Sequence, residues 1–97
     1  MNLVDILKEK KYHLIDVREE MELEIDGSIP EAAHIPLGEI EDRKQEIVNL
    51  AGPKIFFCRS GNRSGKAMEY FKAEGLTEVY NGGAYADLQA TLDEINS

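Results

Sequence analysis

Cys58 is the only cysteine in the chain, and it stands where an apolar run gives way abruptly to basic and small polar residues. The stretch 54–66 reads KIFFCRSGNRSGK. Ile55-Phe56-Phe57 has the pattern of a buried strand, and Ser64 to Glu74 that of a helix. Strand, tight loop and helix in that order put a thiol at the carboxyl end of a strand, where open parallel α/β sheets carry their chemistry. Loop N–H groups backed by a helix N-terminus form a concavity suited to an anion. Lys54, Arg59, Arg63 and Lys66 are four of the eleven lysines and arginines, and residues 54–66 contain no acid. In a chain of net charge −8 this is a local inversion of sign.

The chemistry this predicts is nucleophilic. Thiolate is the reactive form of cysteine, and neighbouring arginines with a helix N-terminus lower a thiol pKa. The same positive field attracts a small anionic substrate. The competing reading is a buried structural cysteine, since free cysteine is among the most buried residue types. A merely structural thiol needs no such array of donors, which favours the reactive reading.

The rest of the composition narrows the choice. Ninety-seven residues make one domain, large enough for a single core without staples or metal. A hydrophobic content of 42% and a charged content of 31% are ordinary for a globular protein. One cysteine excludes an internal disulfide, and two histidines offer no metal-ligand spacing. No cofactor is implied. The acidic balance argues against a nucleic-acid partner. No segment has the pattern of a signal sequence or the length of a membrane span. A cytoplasmic monomer is therefore the expectation, or a periplasmic one had a signal peptide been removed.

The elements that must position Cys58 follow in order. Asn2 caps a short helix with Leu3, Ile6 and Leu7 on one face. Tyr12 to Val17 reads as a buried parallel strand. Asp16 interrupts its apolar run, and a carboxylate there is best explained by loop N–H groups or an arginine partner. His13 reads as a strand-end surface residue and His34 as structural. Beyond Arg18, the acids Glu19, Glu20, Glu22, Glu24 and Asp26 suggest a short solvated helix with Met21 and Ile25 facing inward, ended by Gly27. A very short strand is expected around Ala33 to Ile35, and a helix from about Gly38 to Leu50. After the Cys58 segment come a strand at Thr77 to Tyr80, a turn at Asn81-Gly82-Gly83 and a last helix with Tyr85, Leu88, Leu92 and Ile95 inward. The turn should lie near the Cys58 loop. Strands alternating with helices predict an α/β fold with a parallel sheet covered on both faces.

Read together, these segments resemble a single-domain rhodanese, a sulfurtransferase family. The resemblance rests on LIDVREEMELE at 14–24, the G-x-I-P and A-x-x-I-P-L frame at 27–37, CRSGNRS at 58–64 and VYNGGAYADL at 79–88. It implies an open parallel sheet with helices on both faces. Relatives often carry a leading strand, and only Met1 and Asn2 precede the first helix here, so four strands or a vestigial fifth are expected. It also implies that Cys58 carries a sulfane sulfur as a persulfide. Arg59, Ser60, Gly61, Asn62 and Arg63 would cradle the substrate, with Asp16 and Arg18 supporting the site.

The corresponding mechanism is ping-pong: Cys58 takes sulfur from thiosulfate or a similar donor, and cyanide or a thiol, including a protein thiol, removes it. No general base is needed for a thiol that is already ionised. Two alternatives stand beside it. One is a non-enzymatic persulfide carrier. The other is a cysteine phosphatase or arsenate reductase, whose arginine follows the cysteine after five intervening residues. Here four residues separate Cys58 from Arg63.

Overall fold

A computed structural model describes residues 2–97, leaving Met1 outside the described residues. The chain runs α1 (Leu3–Glu9), β1 (His13–Asp16), α2 (Glu20–Asp26), β2 (Ala33–His34), a 3₁₀ turn (Leu37–Glu39), α3 (Lys44–Val48), β3 (Lys54–Cys58), α4 (Asn62–Ala73), β4 (Val79–Ala84) and α5 (Tyr85–Asn96). The strands form one parallel sheet in the order β2-β1-β3-β4, four strands among the described residues. Strand β3 lies inside the sheet with all five of its residues buried, as its unbroken apolar run requires.

Side chains on β3 alternate between the two faces. Ile55 and Phe57 pack with Ile6 and Leu7 of α1 and with Leu88 and Leu92 of α5. Phe56 and Cys58 point the other way, into a cluster with Ile47 of α3 and with Ala67 and Phe71 of α4. Phe56 and Phe71 stack with ring centroids 5.5 Å apart. Each of these phenylalanines is fully buried, worth about 2–3 kcal/mol of transfer free energy. Helices thus cover both faces of the sheet, and the strand alternation commits the thiol to the α4 side.

Four local expectations are corrected. The helix expected from Gly38 to Leu50 is broken into the 3₁₀ turn and the five-residue α3. Gly38 and Asp42 are weak helix formers, and Arg43 clamps the two pieces, bonding Glu39 at 3.0 Å and Glu46 at 2.8 Å. Ile40 and Ile47 still reach the core. Met21 and Ile25 do not face inward: they are 68% and 75% exposed, and α2 has no buried residue. The helix is turned to bring Glu22 toward the Cys58 loop. Asn81-Gly82-Gly83 is no turn but part of β4, which extends from Val79 to Ala84 rather than ending at Tyr80. The register shifts there: Phe56 pairs with Asn81 and Phe57 with Gly83, so Gly82 is the extra residue of a bulge. A Cβ on Gly82 would sit 2.8 Å from Ile55 Cγ2, which is why this position carries no side chain. The charge inversion along 54–66 also breaks up in space. Lys54 is buried at the far end of β3, its Nζ bonded to the Gly52 carbonyl at 2.9 Å, and Lys66 is exposed on α4.

Candidate active site

Cys58 ends β3 and is fully buried. The loop that follows it closes into α4 through Gly61, whose φ of +98° is a left-handed conformation that only glycine adopts without strain. That turn aims the Gly61 N–H at the thiol, donating to Cys58 Sγ at 3.0 Å. Ser64, in the first turn of α4 and fully buried, places Oγ 3.5 Å from the same sulfur. Burial pushes the Cys58 thiol up. Once the thiolate forms, the Ser64 hydroxyl turning to it and the N–H groups of Ser64, Ser60 and Gly61 more than offset this, bringing it from 9.0 down to about 7. The expected lowering is present, but its main cause is the cradle of hydrogen bonds, with Arg63 adding a smaller Coulombic contribution.

The two arginines of the loop are engaged elsewhere or face solvent. Arg63 turns to α2, where its Nη1 and Nη2 donate to the two carboxylate oxygens of Glu22, both at 2.7 Å. This forked pair holds Glu22 at about 2, chiefly through the Arg63 hydrogen bonds. Arg63 therefore does not present its charge to a substrate in this arrangement. Arg59 is exposed, as are Ser60 and Asn62, so the outer half of the loop faces solvent.

Asp16 and Arg18 form a buried pair beneath the site. Arg18 Nε donates to both Asp16 oxygens at 3.0 and 3.1 Å, and Nη2 donates to Oδ2 at 2.7 Å. The Arg18 N–H also donates to Asp16 Oδ1 at 3.0 Å, so the carboxylate has both kinds of partner expected for it. Nη2 donates further to the Gly27 carbonyl at 2.9 Å, tying β1 to the end of α2. The Tyr85 ring at the start of α5 lies over the guanidinium, its centroid 4.2 Å from Cζ, and packs against Phe57 at 6.4 Å. His34 Nε2 donates to the Arg18 carbonyl at 2.7 Å, a structural contact. Arg18, Asp26, Arg59, Tyr85 and Ala86 line a cleft of about 380 Å³ beside the loop. A larger hollow of about 630 Å³ lies between α1 and α5, lined by Val4, Lys8, Lys10, Thr91, Glu94 and Ile95. It shares no residue with the thiol's surroundings.

Four residues of the site escaped sequence reasoning. Ser64 was legible as the start of a helix but not as a partner of the sulfur. Glu22 was one acid among five, and its spacing gives no hint of a pairing 41 residues away. Tyr85 read as core. Asn81 closes the network: its Oδ1 accepts from Ser64 Oγ at 2.6 Å and from the Gly83 N–H at 2.9 Å, while Nδ2 donates to the Gly61 carbonyl at 3.0 Å. The bulge at Gly82 sets that side chain against the loop. Among the described residues no group of three or more potential metal ligands occurs, and no helix is long and apolar enough to cross a membrane.

Comparison with known proteins agrees with this architecture. The family model for the rhodanese-like domain matches residues 2–88. A putative sulfurtransferase of Bacillus subtilis, YtwF, is 40% identical over 86 residues, covering 82% of each chain. An uncharacterized protein of the same organism, YqhL, is 42% identical over 72 residues, but the match spans only 56% of its length. Among solved structures, a rhodanese-related protein of Thermoplasma volcanium superposes with a TM-score of 0.68 at 34% identity, covering 90% of this chain and 82% of that one. The human single-domain sulfurtransferase TSTD1 gives 0.70 at 26% identity, covering 91% and 89%. With an open parallel sheet, a cysteine at the end of β3 and a family match from residue 2 to residue 88, the chain belongs to the rhodanese-like domain family.

Proposed function

We propose that this protein is a rhodanese-type sulfurtransferase working through a Cys58 persulfide. One observation carries the reading: a single thiol at the end of a central strand, receiving the Gly61 N–H at 3.0 Å and held near a pKa of 7. Such a thiol is substantially ionised at neutral pH without a base. The putative sulfurtransferase of Bacillus subtilis and the human sulfurtransferase support the class. A rhodanese of E. coli, 32% identical, has been solved with anions, in keeping with an anionic donor.

In the first half-reaction the Cys58 thiolate attacks the outer sulfur of thiosulfate. The bond between the two thiosulfate sulfurs breaks, sulfite leaves with the electron pair, and Cys58 holds a persulfide anion. In the second, cyanide or a thiolate attacks that outer sulfur, and the electron pair returns to Cys58 as thiolate. The loop N–H groups stabilise the charge on sulfur in both. Arg59 beside the cleft is the residue placed to attract the donor. Cys58 is covered, so the groups over it must yield for the donor to reach the sulfur.

The four-residue spacing to Arg63 favours sulfur over phosphorus, because a phosphate needs a wider ring of N–H groups than a single sulfur atom. The test is steady-state thiocyanate production from thiosulfate and cyanide. Parallel double-reciprocal lines, loss of turnover in Cys58→Ser and negligible hydrolysis of p-nitrophenyl phosphate are expected. Efficient aryl phosphate hydrolysis without thiocyanate production would overturn the proposal.

A further inference from the structure

The hydrogen-bond directions around Ser64 are fixed by its neighbours. Asn81 Oδ1 accepts from the Gly83 N–H and Nδ2 donates to the Gly61 carbonyl, so the amide has only one orientation. An amide oxygen cannot donate, and therefore the Ser64 hydroxyl gives its single proton to Asn81 at 2.6 Å. Toward Cys58 Sγ, 3.5 Å away, Ser64 is then left as an acceptor, matched to a neutral S–H. A thiolate has no proton to give. To bond it, the hydroxyl must turn away from Asn81.

We propose that Asn81 is a positioning residue which holds the Ser64 hydroxyl while the Cys58 sulfur is uncharged and yields it when that sulfur becomes anionic. The inference takes Cys58 as the reacting atom from the sulfur-transfer reading and adds a second-half consequence. When Cys58 carries an outer sulfur, the negative charge lies on that outer atom and Sγ is again uncharged, so Ser64 returns to Asn81. The network thus favours the loaded state over the free thiolate. No atom is transferred within it: on ionisation the Cys58 proton leaves to solvent, and Ser64 keeps its own.

The charged groups around the loop do not change in this step. Arg63 is paired with Glu22, Arg18 is paired with Asp16, Arg59 is exposed, and Glu19 lies at the start of α2. Asn81 is itself exposed, so removing only its acceptor would let water replace it. The near-isosteric Asn81→Leu removes the acceptor and excludes water together.

The experiment is the pH profile of iodoacetamide alkylation of the full chain, without any sulfur donor. In Asn81→Leu the midpoint should fall by about half a pH unit, because Ser64 is free to donate to the thiolate. In Ser64→Ala it should rise by a similar amount, and adding Asn81→Leu to that variant should then produce no fall. A rise in Asn81→Leu alone, or the same change with and without Ser64, would overturn the proposal and leave Asn81 as a structural tie only. If Asn81→Leu lacks a cooperative thermal transition, Asn81→Asp decides. That variant keeps the acceptor and strengthens it with charge, so its midpoint should rise, and an unchanged or lower midpoint overturns the inference. Because no sulfur is transferred, these outcomes are independent of whether thiocyanate is produced.

Discussion

At the scale of single residues, the Cys58 thiol is acidified mainly by short-range hydrogen-bond donors, with a smaller contribution from the charge of Arg63. Its pKa of about 7 dictates a pH dependence. Below 7 the thiol is protonated and the nucleophile disappears tenfold per pH unit; above 7 it is fully formed and the rate levels off. Alkylation and the first half-reaction should both rise with pH and plateau just above 7, as a stopped-flow or quench series can check. Arg59 is exposed, and under the proposed function it attracts an anionic donor before reaction. Arg59→Ala should raise KM for thiosulfate several-fold with little change in kcat, and added salt should narrow the difference from wild type. The place of Cys58 at the end of a buried strand and the loop that follows it could be read from the sequence, because they depend on neighbours within a few residues. The nearness of residues 81–83 to that loop was legible too, and Asn81 does bond the Gly61 carbonyl; its hold on Ser64 was not, because that depends on a one-residue bulge that shifts the register of β4 against β3.

At the scale of elements, α2 is attached to the site by polar contacts. Glu22 caps its own helix by accepting the Glu19 N–H at 2.8 Å and also holds Arg63, while the Gly27 carbonyl at its end accepts from Arg18. The pair Glu22–Arg63 thereby fixes the far end of the Cys58 loop. Glu22→Gln and Arg63→Ala should each lower kcat, by about tenfold or on the order of 1.4 kcal/mol. The double variant should be little worse than either single one. Additive losses would mean that Arg63 acts on the substrate directly. The pair also has a pH signature. An ordinary glutamate titrates near 4.5 and Glu22 near 2, so its stabilisation is complete above pH 4.5 and is lost as pH falls toward 2. Wild type should lose more of its Tm over that window than Glu22→Gln does. Sequence reading found the existence of α2 and its acidity, since both are local. It assigned the wrong face, because Met21 and Ile25 satisfy helical periodicity as well as any core pair, and the polar anchor that rotates the helix lies 41 residues away.

At the scale of the whole molecule, the alternation of strands and helices was enough to anticipate a parallel sheet covered on both faces, and the unbroken apolar run of β3 placed the thiol strand inside it. Less legible was how little of the surface chemistry takes part. Lys54 and Lys66 are near Cys58 in sequence yet belong to the far end of β3 and the outer face of α4. Met21 and Ile25, exposed by 68% and 75%, contribute little to the core. Replacing both by Ser should therefore change stability by about 0.5 kcal/mol or less in a thermal melt, whereas an inward-facing pair would cost several times that. What the molecule as a whole presents is one covered thiol, with no second cysteine to take over its sulfur, so a persulfide formed on it should persist until an external acceptor arrives. The most direct measurement is intact mass of the wild-type protein after incubation with thiosulfate and removal of excess donor. A gain of one sulfur atom on wild type and none on Cys58→Ser is expected, with cyanide restoring the original mass and releasing one equivalent of thiocyanate. An unchanged wild-type mass, or the same gain in Cys58→Ser, would contradict a Cys58 persulfide.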